Sequence, residues 1–211
     1  SPIPLVGLGQ FLLAMDENMV YLSPAPLYHA APLRWNMVVH RLGGTSVIMD
    51  HFDAEEFLAA VEKYKVTHSQ LVPTMFSRML KLPEDARRAY DVSSLRMAIH
   101  AAAPCPVEVK RAMIDWWGPV IHESYAASEL GLVTFVSAGE ALQRPGTAGR
   151  PIPGTTLRIL DEEGRELPPR TPGPEHLRPW RMERSSPWAW AGSSRAWMPP
   201  RARSCGARTS S

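Results

Sequence analysis

Short apolar runs alternate with helical patterns along most of this sequence, and this alternation limits the fold more than any other feature. Residues 20–23, 45–49, 66–72 and 95–100 are predicted as strands because each is a short run rich in apolar or β-branched residues. Strand–helix repetition favours right-handed crossovers, and therefore an α/β fold with a doubly wound, largely parallel sheet that carries helices on both faces. In such sheets, ligands bind at the carboxyl ends of the strands.

The clearest helix begins after Asp53. The side chain of Asp53 can cap the helix, and Glu56 three residues later completes a capping box. Apolar residues then recur at helical spacing through Tyr64, which predicts a buried face. Further helices are expected over 35–41, 74–81 and 107–116, with Pro73 at a first helical position, and a further strand is expected over 119–122.

The residue composition changes twice along the chain, which predicts three segments with different structures. Residues 1–145 are expected to form the α/β domain, and the turn-rich residues 146–174 are expected to begin a small β subdomain. Residues 175–211 contain seven Arg and four Trp but no Val, Ile, Phe or Tyr. A segment of this composition does not offset the entropy of ordering, so we predict a disordered or out-of-frame tail.

Composition excludes several classes of protein. Hydrophobic residues make up 45% of the 211 residues, as in a globular chain, and no apolar run reaches the roughly 20 residues of a membrane-spanning helix. Cys105 and Cys205 lie too far apart in sequence for a metal-binding pair, so we expect no transition metal and a cytoplasmic location. The basic charge comes from residues 175–211, with seven Arg and two Glu, and we therefore predict no nucleic-acid partner.

One five-residue segment, 125–129, combines three useful functional groups at the end of a predicted strand. Tyr125 can stack on a base, Ser128 can bind a phosphate oxygen, and Glu129 can hold Mg²⁺, which prefers carboxylate and phosphate oxygens. On the pattern alone, an ordinary exposed turn is the favoured interpretation. In the same way, a structural role is the favoured interpretation of His29 when it is considered without its neighbours.

Four segments in order resemble the motifs of adenylate-forming enzymes. Tyr-Ala-Ala-Ser-Glu at 125–129 is similar to their Tyr-Gly-x-Thr-Glu motif, and Pro-Leu-Tyr-His at 26–29 is similar to Pro-Leu-Phe/Tyr-His. His-Ala-Ala-Ala-Pro at 100–104 resembles the Ser-Gly-Gly-Ala-Pro loop near adenine, and Pro-Gly-Thr-Ala-Gly-Arg-Pro at 145–151 resembles Pro-Gly-Ser-Val-Gly-Arg-Pro. The sequences of residues 25–32 and 100–106 are most similar to those of bacterial fatty-acid–CoA ligases. The chain is thus identified as a member of the AMP-binding superfamily, from the central part of its large N-terminal domain.

The resemblance implies a ligase. Such enzymes use ATP and Mg²⁺ to convert a carboxylic acid, here a fatty acid, to an acyl-adenylate, from which coenzyme A displaces AMP. The family's phosphate loop, its ribose-binding Thr-Gly-Asp and its C-terminal lysine have no match here. We therefore expect a partial chain that is inactive alone, with small-molecule substrates and with the missing parts on another chain. The alternative is a non-catalytic remnant that keeps partial adenine and acyl pockets.

The resemblance also implies roles for individual residues. Catalysis is assigned to Ser128 and Glu129, and Glu129 is also the metal ligand. Acyl binding is assigned to His29, Trp35 and Thr74. Nucleotide binding is assigned to residues in or beside two of the motifs: Ala101, Ala102, Ala103, Pro104, Glu123, Ser124, Tyr125, Ala126 and Ser128.

Three alanines depart from the motifs. Ala101 and Ala102 replace a glycine pair, and Ala126 replaces the motif glycine. A positive φ at any of these positions would cost about 1 kcal/mol or more, because the Cβ crowds the following carbonyl.

Overall fold

The computed structural model describes residues 4–127, 131–158, 161, 165–166 and 182–183. These residues divide into two compact units, one up to Ile152 and one from Pro153. The predicted tail, 175–211, lies outside the described residues apart from Met182 and Glu183.

The first unit contains seven helices and seven strands among its described residues. The helices are α1 Pro4–Leu13, α2 Ala30–Leu42, α3 Ala54–Tyr64, α4 Pro73–Leu80, α5 Glu84–Arg88, α6 Val107–Trp117 and α7 Ala138–Gln143. The strands are β1 Val20–Ser23, β2 Thr45–Ile48, β3 His68–Leu71, β4 Met97–His100, β5 Ile121–Ala127, β6 Gly131–Val136 and β7 Arg150–Pro151.

The seven strands form one sheet in the order β2-β1-β3-β4-β5-β6-β7. Strands β1 to β5 are parallel, whereas β6 and β7 add to the sheet in the antiparallel sense. The order 2-1-3-4-5 is one of the two common doubly wound arrangements. The predicted fold class, an α/β fold with a largely parallel sheet, is confirmed.

Helices cover both faces of the sheet and bury two separate apolar cores. Adjacent strand residues point to opposite faces, so Tyr21 and Ile99 pack with α1 and α2 while Leu22 and Ala98 pack with α3, α4 and α6. The core that α3, α4 and α6 form with the sheet is the larger of the two. Within it, Phe57 of α3 stacks on Trp117 of α6, with ring centroids 5.9 Å apart.

The predicted cap of α3 is present in part. One oxygen of the Asp53 carboxylate accepts hydrogen bonds from the amides of Glu55 and Glu56 at 2.9 and 3.0 Å. These bonds hold the pKa of Asp53 below its usual range, above all the bond from the Glu56 amide. The helix ends at Tyr64, and the C-cap residue Lys65 adopts a left-handed φ of 50°.

In the second unit the structure describes one small sheet. Strand β8, Thr156–Leu157, pairs antiparallel with β9, Met182–Glu183. The Asp161 amide donates to the Arg165 carbonyl oxygen at 2.9 Å, and the Arg165 guanidinium contacts the Asp161 carboxylate at 2.8 Å. None of the described helices in either unit is long and apolar enough to cross a membrane.

Candidate functional site

The carboxyl ends of the parallel strands form one edge of the sheet, and two predicted binding segments lie there. Leu71, His100 and Glu123 are neighbours across β3, β4 and β5. The Ala101 amide donates to the Leu71 carbonyl oxygen at 3.3 Å, which fixes where the loop after β4 begins. The same edge holds the topological switch point between β1 and β3, where open parallel sheets leave a crevice for ligands.

The loop after β4, residues 101–106, offers mainly backbone to a ligand. Ala101 is buried, whereas Ala102, Ala103 and Pro104 are exposed. Ala102 has a φ of 75°, in the left-handed region that favours glycine. Small side chains at these positions leave the backbone amides and carbonyls accessible to a flat ligand such as a base.

Strand β5 is longer than the sequence predicted. We expected a strand over 119–122 with Tyr125 beyond it, but the strand runs to Ala127 and Tyr125 lies within it, opposite Thr134 of β6. The register shifts between Tyr125 and Ala126, as at a β-bulge, which changes the direction of the following side chains. Tyr125 is half-buried and Ala126 is exposed, with no positive φ at Ala126.

The remaining predicted residues of this segment differ in what the structure describes. Ser124 is buried, with 6% of its surface exposed. It precedes Tyr125 and follows Glu123, so its side chain points to the opposite face of the sheet from theirs. Ser128 and Glu129 lie outside the described residues.

A nearly buried ion pair, which the sequence analysis missed, lies below the edge. The Nζ of Lys110 in α6 contacts Oε2 of Glu123, and the exposed fractions of the two side chains are 9% and 14%. The Nε2 of His100 lies 3.8 Å from the same oxygen. The sequence does contain an indication of this pair. Lys110 lies at helical spacing from Met113 and Trp117, on the apolar face of α6, and a charge buried on such a face requires a partner.

The His100 side chain is fully buried between the sheet and α4. Its ring meets the edge of Phe76, with centroids 5.5 Å apart, and neither ring nitrogen has a hydrogen-bond partner among the described residues. Burial, with added repulsion from Lys110 and His122, lowers the pKa of His100 to about 3. The ring is therefore neutral at physiological pH.

The three predicted acyl-binding residues occupy different environments. His29 is exposed at the N-cap of α2, and its ring lies 4.5 Å from that of the exposed Tyr28. Trp35 is buried in the core formed with α1, and Thr74 is exposed in the first turn of α4. The structure thus does not bring Thr74 into the core that holds Trp35.

A second polar contact missed by the sequence analysis lies at the carboxyl end of β1. The side-chain amide of Asn36 in α2 donates to Ser23 Oγ at 3.0 Å and to the Pro32 carbonyl oxygen at 2.9 Å. Both side chains are buried, and the Asn36 Oδ1 atom has no partner among the described residues. Asn36 therefore joins α2 to the carboxyl end of β1.

No group of three or more metal-binding side chains occurs within the described ranges. Cys105, in the loop after β4, is half-buried, and burial raises the pKa of its thiol to about 11. Cys105 packs against the larger core, and its thiol is protonated at neutral pH.

These features define a class: a parallel α/β domain whose loops at the carboxyl edge are arranged to receive a ligand. A profile of the AMP-binding enzyme family matches residues 7–178, which is most of the chain. The protein therefore belongs to the AMP-binding enzyme family.

The sequence is also similar to those of individual CoA ligases and synthases. A medium/long-chain fatty-acid–CoA ligase from Mycobacterium tuberculosis is 31% identical over 180 residues, which cover 79% of this chain and 31% of the relative. A feruloyl-CoA synthase from Amycolatopsis is 32% identical over 163 residues, which cover 76% of this chain and 32% of the relative. The chain spans about a third of the length of these relatives.

Solved structures show the same fold. The o-succinylbenzoate–CoA synthetase of Bacillus subtilis, solved in complex with ATP and a magnesium ion, superimposes with a TM-score of 0.67 at 20% identity. The match covers 79% of this chain and 34% of that protein.

Proposed function

We propose that this chain provides the adenine-binding edge and part of the acyl-binding region of an ATP-dependent acid–CoA ligase. In this reaction a carboxylate attacks the α-phosphorus of ATP, forming an acyl-adenylate and releasing pyrophosphate. The thiol of coenzyme A then attacks the acyl carbon and AMP leaves. The protein contributes positioning and charge stabilisation rather than a side-chain nucleophile.

One observation carries the proposal: the two segments that resemble nucleotide-binding motifs lie at the same edge of the sheet. The pairing of His100 with Glu123 aligns the start of the loop 101–106 with the end of β5 that carries Tyr125. A base between the two would meet the exposed backbone of 102–104 on one side and the aromatic ring of Tyr125 on the other. Aromatic faces stack on bases, and an accessible backbone supplies directional hydrogen bonds.

The other proposed roles follow the same arrangement. Glu123 and Ser124 directly precede Tyr125 in β5 and would border the nucleotide site through their backbone, because the Glu123 carboxylate contacts Lys110 and the Ser124 side chain is buried on the other face. Ser128 would bind a phosphate oxygen. Glu129 would hold Mg²⁺, which would neutralise charge on the phosphates. Glu129 lies outside the described residues, so its carboxylate is assigned from the sequence motif.

The substrate class is proposed as a fatty acid. His29 would gate the acyl channel, and Trp35 and Thr74 would contribute to its wall. The names of the relatives include both fatty-acid and feruloyl ligases, so the acid itself has to be established by competition among aliphatic and aromatic acids. We further propose that the partners are small molecules and that the protein acts in the cytoplasm.

Calorimetry of the purified chain tests the proposal. We expect saturable binding of ATP–Mg²⁺ and of a non-hydrolysable acyl-adenylate analogue. Glu129→Ala should weaken Mg²⁺-dependent ATP binding while leaving the fold intact, and Glu84→Ala, on the exposed helix α5, is the matched control that should bind as the wild type does. A folded wild-type chain that binds neither ligand would contradict the proposal and favour a non-catalytic remnant of the family.

A further inference from the structure

Lys110 is placed where a lysine is rarely found. It lies on the inner face of α6, with only 7% of its surface exposed, among the buried Met113, Ile114 and Trp117. Lysines are seldom buried unless they are paired, since the ammonium group loses its hydration. Its presence on this face therefore depends on the carboxylate that it meets.

That carboxylate belongs to the strand of the proposed nucleotide site. The Glu123 side chain lies on the α6 face of β5 and is 14% exposed, with Oε2 in contact with Lys110 Nζ. Glu123 precedes Tyr125 by two residues, so the two side chains share a face of the strand. The position of this carboxylate is thereby tied to the position of the aromatic ring.

Lys110 is tied equally closely to the loop after β4. Helix α6 begins at Val107, directly after this loop, and the Lys110 amide donates to the Pro106 carbonyl oxygen at 3.0 Å. The first turn of the helix therefore moves with the end of the loop. At its other end the loop is anchored by the bond from Ala101 to Leu71.

We propose that Lys110 is a positioning residue of the nucleotide site: its ion pair with Glu123 holds the loop 101–106 at a fixed distance from Tyr125. This inference rests on the function proposed above and adds a residue that touches neither base nor phosphate. An apolar pair at these positions could stabilise the fold as well as an ion pair does. It would lack the directional contact between one ammonium and one carboxylate oxygen, which is what fixes the loop relative to the strand.

Hydrogen exchange measures the positioning without any ligand. In Lys110→Met we expect the Ala101 amide, which bonds to Leu71, and the amides of residues 123–127 to exchange about tenfold faster than in the wild type, because the loop opens locally. Lys110→Arg, which keeps the charge, should restore most of the protection. Met113→Ala, which removes packing from the same face of α6, is the comparator and should not affect these amides selectively when compared at an equal folded fraction.

ATP–Mg²⁺ titration of the same variants measures the consequence for the site. Lys110→Met should weaken binding about tenfold, a larger effect than Met113→Ala at equal folded fraction, and Lys110→Arg should lie within about threefold of the wild type. Unchanged exchange in Lys110→Met, or equal effects of Lys110→Met and Met113→Ala, would overturn the inference. If Lys110→Met does not fold, Glu123→Gln decides by the same exchange measurement. Failure of the wild type to bind ATP, with the exchange pattern as expected, would instead count against the proposed function alone.

Discussion

Ala102 occupies a backbone conformation that its Cβ disfavours. With a φ of 75°, its side chain crowds the carbonyl group, at a cost of about 1–2 kcal/mol relative to glycine. Ala102→Gly should therefore raise the free energy of unfolding by about 1 kcal/mol, after allowance for the greater chain entropy of glycine. Urea denaturation at equilibrium measures the difference.

The neighbouring alanine is the matched control for this prediction. Ala103 is equally exposed and has no positive φ, so Ala103→Gly should lower the free energy of unfolding by about 0.5 kcal/mol through chain entropy alone. Equal effects of the two glycine substitutions would show that the loop does not hold Ala102 in the left-handed region.

His100 makes the stability dependent on acid. Burial lowers its pKa to about 3 in the folded state, whereas an unfolded histidine has a pKa near 6.5. The unfolded chain thus binds a proton more readily, and stability is lost as pH falls from about 6.5 towards 3, by at most about 1.4 kcal/mol per pH unit from this residue. His100→Leu should therefore make the stability less dependent on pH between about 6.5 and 3. It should change little at pH 7, because neither ring nitrogen has a partner among the described residues.

Unfolding measured from pH 7 to pH 4 separates His100 from other histidines. Burial also lowers the pKa values of His68 and His122, so the variant should retain a shallower dependence rather than none. A pH dependence identical to that of the wild type would mean that His100 is accessible to protons in the folded protein.

At the scale of elements, the approach of residues 147–150 to β6 depends on one glycine. Gly149 has a φ of 86°, and a Cβ added there would lie 2.2 Å from the Phe135 carbonyl oxygen. Gly149→Ala should destabilise the protein by about 3 kcal/mol or more, because backbone atoms would have to move apart and the pairing of β7 with β6 would be lost. Thermal or urea unfolding measures the loss.

Substitution of Gly146, in the same segment, separates the cost of the steric clash from the cost of the positive φ. Its φ is 81°, but an added Cβ would meet nothing within 4 Å. Gly146→Ala should therefore cost only about 1 kcal/mol, from the dihedral alone. If both substitutions cost the same, the contact between Gly149 and Phe135 would not contribute to the stability of the sheet.

Elements with a local signal were predictable from the sequence. The Asp53 cap, the apolar stripe of α3 and Pro73 at the start of α4 were all recognised, because each depends on residues a few positions apart. The extension of β5 to Ala127 was missed, since it depends on pairing with β6 rather than on local propensity. Helix α7 was also missed, although Ser137 and Glu140 form a capping box that the sequence carries.

The candidate site was predictable to a similar extent. Resemblance of motifs pointed to the loop after β4 and to Tyr125, and the sheet brings both to one edge. The partnership of Lys110 with Glu123 could not be predicted, because it joins a helix face to a strand face through the packing angle of α6. Only the charge at an apolar position of the helix indicated that some partner was required.

At the scale of the first unit, the sheet couples two cores. Strand β1 supplies Tyr21 to one core and Leu22 to the other, and β4 divides Ile99 and Ala98 in the same way. Loss of packing on one face therefore loosens the strands, whose backbone also positions the side chains of the other core. We infer that the layer of α1 and α2 and the layer of α3, α4 and α6 unfold together rather than in sequence.

A pair of matched cavities tests this coupling. Val39 of α2 and Val61 of α3 have no exposed surface and lie in different cores, so Val39→Ala and Val61→Ala should each cost about 2 kcal/mol. If the sheet couples the layers, either substitution should speed exchange of the most protected amides in both α2 and α3 by the same factor. If the layers are independent, Val39→Ala would affect α2 alone and Val61→Ala would affect α3 alone. Helix α2 would then be able to move without disturbing the loop 101–106, whereas coupling makes the His29 end of α2 and this loop respond to the same substitutions.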